Sequence, residues 1–304
     1  MPLKSLALIL LLLLSLTAAH TQTADTPETP LFFDDFSYMG TADPAFTGHG
    51  WIVRTGKGWP GVPDARWWAK GITIVPDADA ADNRLVQLVS TTNGKRTRQT
   101  QLCQERKFFE GMYASRVRFS DAPVSGPDGD NIVQTFYQIS PLAADLDPDY
   151  SELDFEYLPN GGWGTTGPNF FVTTWETFQQ EPWIAENQSG QVAASFDGWH
   201  TLVLQVADGE VAYYVDGDLL DTHSGEYYPE VPMALNYNLW FIRDGLIDST
   251  EERQYQQQID WTFYMADTVL TPDEVLAQVA ELRAGGVNFT DTIPATELES
   301  PCNF

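Results

Sequence analysis

Positive charge is scarce in this chain: 16 Lys and Arg stand against 43 Asp and Glu, a formal net charge of −27 at pH 7. Such a field repels phosphate backbones and anionic lipid headgroups, so neither nucleic acid nor membrane is expected as a partner. It also disfavours sulfated or uronic-acid polymers, and a neutral ligand fits better. Surface acidity that serves solubility accounts for the total equally well, so charge excludes partners without naming one. Histidine is rare too, with only His20, His49, His200 and His223. There is no H-E-x-x-H pair, no G-x-S-x-G elbow and no G-x-x-x-x-G-K-[ST] loop, which sets aside zinc hydrolases, serine triads and P-loop enzymes. His200, in Trp199-His200-Thr201, reads as a structural residue within a strand. The two cysteines, Cys103 and Cys302, are either a disulfide tying the C-terminal tail to a strand or two separate thiols; spacing does not choose.

Long apolar runs are also missing. The longest, Ser5 to Leu16, is too short to cross a bilayer. It follows Lys4 and precedes the small residues Thr17-Ala18-Ala19, the pattern of a signal peptide over residues 1–19 and hence of a secreted protein. Residues 20–30 are polar, Thr-rich and proline-punctuated, and read as a flexible linker.

What is abundant is aromatic surface: 10 Trp and 12 Tyr in 304 residues. That supplies a large core with rings left over, and surplus Trp and Tyr commonly line clefts. Trp51, Trp59, Trp67 and Trp68 fall in a Gly- and Pro-rich stretch, Gly48 to Gly71, and read as exposed or half-exposed rings on loops. About a dozen short alternating segments follow one another between turn signals. Among them are Met112 to Phe119, Ile132 to Ile139, Asn169 to Trp175, Ala234 to Ile242 and Gln258 to Met265. Asp197-Gly198, Asp208-Gly209 and Asp216-Gly217 are read as hairpin turns around Trp199 to Val206 and Val211 to Val215. The fold class is all-β, a two-sheet antiparallel β-sandwich over residues 31–268. Residues 269–304 add one C-terminal helix and a tail. The helix opens on the capping box Thr271-Pro272-Asp273-Glu274, carries Val275, Leu276, Val279 and Leu282 as a stripe, and closes at Gly285. The tail from Asn288 reads as weakly ordered.

The most informative stretch is Tyr150 to Tyr157, YSELDFEY. Glu152, Asp154 and Glu156 alternate with Leu153, Phe155 and Tyr157, so one face of a half-buried strand is apolar and the other carries three carboxyls in a row. Unpaired acids side by side weaken a sheet, and their mutual repulsion shifts their pKa values. Paired carboxylates are the groups that glycoside hydrolysis needs, one to attack the anomeric carbon and one to protonate the leaving oxygen. Retaining enzymes hold them ~5–5.5 Å apart. Residues i and i+4 of a flat strand lie roughly 13 Å apart at Cα, so the sheet must be concave.

This stretch resembles the E-[IL]-D-[IF]-E signature of family-16 glycoside hydrolases. Companions in the same order are Phe33 to Tyr38 (FDDFSY), Glu110 to Tyr113 (EGMY), Phe196 to Gly217, Asn236 to Trp240 (NYNLW) and Ile259-Asp260-Trp261. The resemblance covers about Leu31 to Met265. It implies a concanavalin A-like jelly roll with an open cleft, acting on a neutral β-linked polysaccharide by retaining double displacement. Glu152 would be the nucleophile, Asp154 its helper and Glu156 the general acid/base. Tyr150, Trp163, Asn169, Trp175 and Trp240 are candidate sugar-binding residues by position, each also able to serve as core packing. The resemblance implies no required cofactor but a possible structural calcium at Asp260, which could equally make a capping interaction. The working unit is expected to be a monomer. A noncatalytic lectin-like sandwich and a transglycosylase are the alternatives.

Overall fold

The computed structural model describes residues 29–300 and 302, so the signal-peptide reading and most of the linker lie outside the described residues. In chain order the strands are β1 Leu31–Asp34, β2 Ile52–Val53, β3 Gly56–Lys57, β4 Arg66–Trp67, β5 Ile72–Pro76 and β6 Arg84–Thr92. Next come β7 Thr97–Phe108, β8 Gly111–Phe119, β9 Ile132–Ile139, β10 Glu152–Leu158, β11 Asn169–Gln179 and β12 Ile184–Val192. The last are β13 Gly198–Ala207, β14 Glu210–Val215, β15 Asp218–Ser224, β16 Met233–Phe241, β17 Arg253–Ala266 and β18 Phe289–Asp291. A short helix α1, Pro44–Gly48, follows β1, and α2, Pro272–Ala284, precedes β18.

The strands form two antiparallel layers. The inner layer runs β12–β11–β10–β9–β16–β7–β2. The outer layer runs β15–β14–β13–β8–β17, and the far side of β17 is shared by β6, which leads to β5, and by β1, which leads to β18. β7 joins the layers: its first residues pair with the end of β6, Thr92 opposite Thr97, and the rest of it pairs with β16. The expected jelly-roll sandwich is therefore present, closed along one side by a shared strand.

Alternation places the core between the layers. Leu153, Phe155 and Tyr157 are fully buried on the inward face of β10, where Phe155 stacks on Phe136 at 6.2 Å and meets Tyr213 edge-on at 5.2 Å. Burying each such side chain contributes about 1.5–3 kcal/mol. Asp208 and Gly209, and Asp216 and Gly217, all take positive φ, as tight hairpin turns between twisted strands require. Asp197-Gly198 is different. It leads into β13, which pairs with β8 in the outer layer, whereas β12 pairs with β11 in the inner one, so no hairpin forms there.

The helix starts at the expected capping box, with Thr271 Oγ1 accepting from Glu274 N and Glu274 Oε2 accepting from Thr271 N. Val275 and Val279 pack on Phe33, Met112, Ala114, Val203, Trp261 and Phe263, the face of the outer layer turned away from the core. Leu276 is exposed, so the stripe is narrower than the sequence suggests.

Two readings need correction. Trp51 and Trp67 are buried, 2% and 3% exposed, and only Trp59 and Trp68 of that group reach solvent. Trp51 packs against Phe32, Phe36 and Tyr237 and donates to the buried Asp34. The described residues of the tail are ordered: β18 pairs with β1, Ser300 Oγ donates to the carbonyl of Gln104, and Cys302 forms a disulfide with Cys103. Non-local partners hold it there, and local sequence does not report them.

Candidate active site

β10 carries the acidic row without interruption. Its seven residues pair in continuous register with β11 and its first six with β9, so no bulge interrupts the E-x-D-x-E alternation. Glu152, Asp154 and Glu156 therefore project together into a cleft of about 370 Å³ whose floor crosses β12, β11, β10, β9 and β16.

Each acid has a distinct setting. Asp154 is buried and accepts a hydrogen bond from the Trp175 indole at 2.9 Å. Burial, then the charges of Glu152 and Glu156, push its pKa well up, and its side-chain bond with Glu152 adds to that rise. Glu152 receives a short hydrogen bond from the Tyr150 hydroxyl. Burial raises its pKa to about 7, and the bonds from Tyr150 and Asp154 oppose that rise by favouring the anion. Glu156 has no such donors; burial and the nearby charge of Glu152 take it to about 8. The three titrate as a linked set. The physical asymmetry is plain: Glu152 is surrounded by donors that favour its anion, and Glu156 is left to keep its proton.

Aromatic rings bound the cleft on both sides of this row. Beside Glu156, Trp163 lies 5.4 Å from Phe171 and 6.3 Å from Trp240. Trp163 sits at φ 50° at the tip of a tight turn. Gly162 lets that turn lie against the protein, since a Cβ there would come within 2.4 Å of Ile242 and 2.9 Å of Leu158. Beside Glu152, Phe178 lies between Trp59 at 5.4 Å and Trp183 at 6.0 Å, with Trp175 edge-on to Phe178 and Trp183. The floor adds Thr135, Tyr137, Thr173 and Asn238, with Thr135 Oγ1 donating to Asn238 Oδ1 at 2.7 Å. Among the described residues no Lys or Arg lines the cleft.

Trp163, Trp175 and Trp240 line the cleft. Tyr150 and Asn169 do not line it. Tyr150 is buried in the turn before β10, where its ring packs against Phe178 and its hydroxyl holds Glu152. Asn169, at the far end of β11, turns its amide back to the carbonyl of Gly167. Tyr137, Asn238, Trp59, Trp183 and Phe171 were not anticipated. For Tyr137 a signal existed, because it shares a face with Thr135 on the strand that proves to neighbour β10.

The Asp260 carboxylate is engaged by protein donors. It accepts from Asn83 Nδ2 at 2.9 Å, Arg116 Nη1 at 2.8 Å and Arg283 Nη2 at 2.6 Å. Two guanidinium groups already neutralise it, and a cation would have to displace them. Among the described residues no group of three or more His, Cys, Asp and Glu is placed to hold a metal.

The sequence matches no family model and no curated protein. Solved structures do resemble the fold. A Bacteroides ovatus mixed-linkage glucan protein of glycoside hydrolase family 16, solved with a product bound, superposes with a TM-score of 0.58 at 14% identity over 76% of this chain and 98% of that one. The Bacillus licheniformis β-glucanase gives 0.53 at 17% identity over 77% and 97%. The κ-carrageenase of Pseudoalteromonas carrageenovora, in complex with a κ-carrageenan oligotetrasaccharide, gives 0.52 at 12% identity over 82% and 99%. The architecture of this chain is the jelly roll of the family-16 glycoside hydrolases.

Proposed function

We propose that the protein is a secreted endo-acting glycoside hydrolase that cleaves a neutral β-linked polysaccharide with retention of configuration. The observation that carries the reading is the carboxyl row on β10, set on the floor of a cleft walled by aromatic rings. In the first step Glu152 attacks the anomeric carbon as an anion while Glu156 gives its proton to the departing glycosidic oxygen. The product is a glycosyl ester on Glu152. In the second step Glu156, now a carboxylate, takes a proton from water, which opens that ester and restores both groups. Asp154 shares its proton with Glu152 and so steadies the charge on the nucleophile, and Tyr150 orients it. The aromatic walls offer faces on which pyranose CH groups stack.

A neutral glycan is favoured because, among the described residues, the charged side chains lining the cleft are acidic, and a sulfate or uronate there would meet repulsion without a basic partner. This separates the chain in chemistry from its carrageenase-like neighbour while leaving the β-glucans of the others open to it. Export is supported by the disulfide, since such bonds persist in oxidising compartments.

The test is reducing-sugar release from mixed-linkage glucan, laminarin, xyloglucan, galactan and agarose, with Glu152→Gln and Glu156→Gln run beside the unmodified protein. Cleavage of one polymer that both substitutions abolish supports the reading. Activity surviving in both overturns the site. Binding without cleavage moves the lectin reading ahead.

A further inference from the structure

The edge strand β12 poses a question that the chemistry on β10 does not answer. It is a regular nine-residue strand, yet none of its residues is buried, so core packing does not explain it. It pairs with β11 along its whole length and extends the cleft floor by one strand beyond β11. Alternation turns Ala185, Asn187 and Ser189 to the cleft, and all three are small or polar. Ser189 Oγ bonds Thr173 Oγ1 at 3.0 Å, while the Asn187 amide has no hydrogen-bond partner among the described residues.

At the head of this strand stands Trp183. It is 56% exposed, an uncommon position for so large an apolar surface, and it is not loose. Phe178 lies 6.0 Å from it, Trp175 meets it edge-on at 6.2 Å, and Gln179 Nε2 donates to the carbonyl of Pro182 across the turn. A fixed, exposed indole beside a shallow floor with a solvent-reachable amide that no protein group among the described residues engages matches what a sugar ring needs, an apolar face to stack on and a polar group for its hydroxyls. The surroundings also select for charge. The charged side chains lining the cleft among the described residues are the acids Glu152, Asp154 and Glu156, so an anionic sugar gains no partner here.

From this juxtaposition, and resting on the hydrolase reading above, we propose that Trp183, Asn187 and Ser189 form a distal subsite for a neutral pyranose residue of the glycan, beyond those held over Glu152. The subsite makes affinity rise with chain length. Short oligosaccharides do not reach it; longer ones gain the stack on Trp183 and the bond to Asn187. It also favours attack within chains over attack at their ends, because an internal bond is flanked by sugars on both sides.

The test is calorimetric titration of an oligosaccharide ladder, of the glycan that the hydrolysis panel identifies, into protein carrying Glu156→Gln, alone and with Trp183→Ala, Trp183→Phe or Asn187→Ala. Each variant is first checked by its unfolding midpoint. The proposal expects Trp183→Ala to weaken the longest oligosaccharides about tenfold and to leave the shortest binders within about twofold. Trp183→Phe should recover most of the loss, and Asn187→Ala should show a smaller length-dependent one. An unchanged length dependence in both alanine variants overturns the subsite, as does equal weakening at every length. Because binding is read without turnover, a failure of the hydrolase reading shows separately, as absence of cleavage by the unmodified protein.

Discussion

Removing the charge of Glu156 should stabilise the protein while ending its catalysis, and the gain should appear only as pH rises. Burial and the charge of Glu152 lift the Glu156 pKa from 4.5 to about 8, so the native state holds this proton more tightly than the unfolded chain does. Below pH 4.5 both states are protonated and the group is neutral in its effect. Between 4.5 and about 8 unfolding releases the proton, and native stability falls steadily; above 8 the loss is complete. A shift of that size corresponds to about 5 kcal/mol as an upper bound. Glu156 is half-buried and the cleft admits water, which screens the charge, so roughly 1–3 kcal/mol is the working figure. Glu156→Gln keeps shape and polarity but cannot ionise. Urea unfolding at pH 4 and pH 8.5, for both proteins, should give coincident midpoints at the lower pH. At the higher pH the variant should lead by that amount, or about 2–8 °C in a thermal scan. Many other carboxylates titrate over the same range, so only the difference between the two proteins is informative. A difference that is equal at both pH values, or that favours the unmodified protein at pH 8.5, refutes the argument that Glu156 is a strained, proton-holding acid.

Other consequences are open to measurement. Tyr150→Phe removes a bond that favours the Glu152 anion, so the acid limb of the pH–rate profile should move up by about one unit, with little change on the alkaline side. Calcium and EDTA should leave the unfolding midpoint of the unmodified protein unchanged, because Arg116 and Arg283 already neutralise Asp260. Arg283→Ala should cost about 1–3 kcal/mol, read by urea unfolding, by leaving the buried Asp260 with one guanidinium fewer. Replacing Cys103 and Cys302 by Ala frees a loop of 199 residues, and the chain-entropy estimate for its closure is about 5 kcal/mol, visible as a lower urea midpoint under non-reducing conditions.

The parts legible in the sequence were those in which one face differs from the other. On β10 the contrast of Glu152, Asp154 and Glu156 with Leu153, Phe155 and Tyr157 was sharp, and the structure places both faces as the alternation implied. The capping box at Thr271 was equally plain, because a cap depends on four neighbouring residues. β12, reading IAENQSGQV, has no buried face and so no alternation to detect, although it forms an edge of the cleft. Trp51 and Trp67 misled because they stand among glycines and prolines. Their burial depends on Asp34, Tyr237 and Gly58, partners distant in sequence or reached by a folded loop. Tyr150 shares the parity of the acidic row, but it precedes the strand proper. The turn there, with Tyr150 N donating to the Asp147 carbonyl, swings its ring into the wall.

The link between Cys103 and Cys302 encloses nearly two-thirds of the chain, including the carboxyl row, the aromatic walls except Trp59, and the helix. Within that ring the backbone can be broken once at any exposed loop, by a protease for instance, and the fragments remain one covalent molecule. Where proteases are present, a nick in the Trp163 turn or the 180–183 turn would then be an injury to one cleft wall and not the loss of a domain.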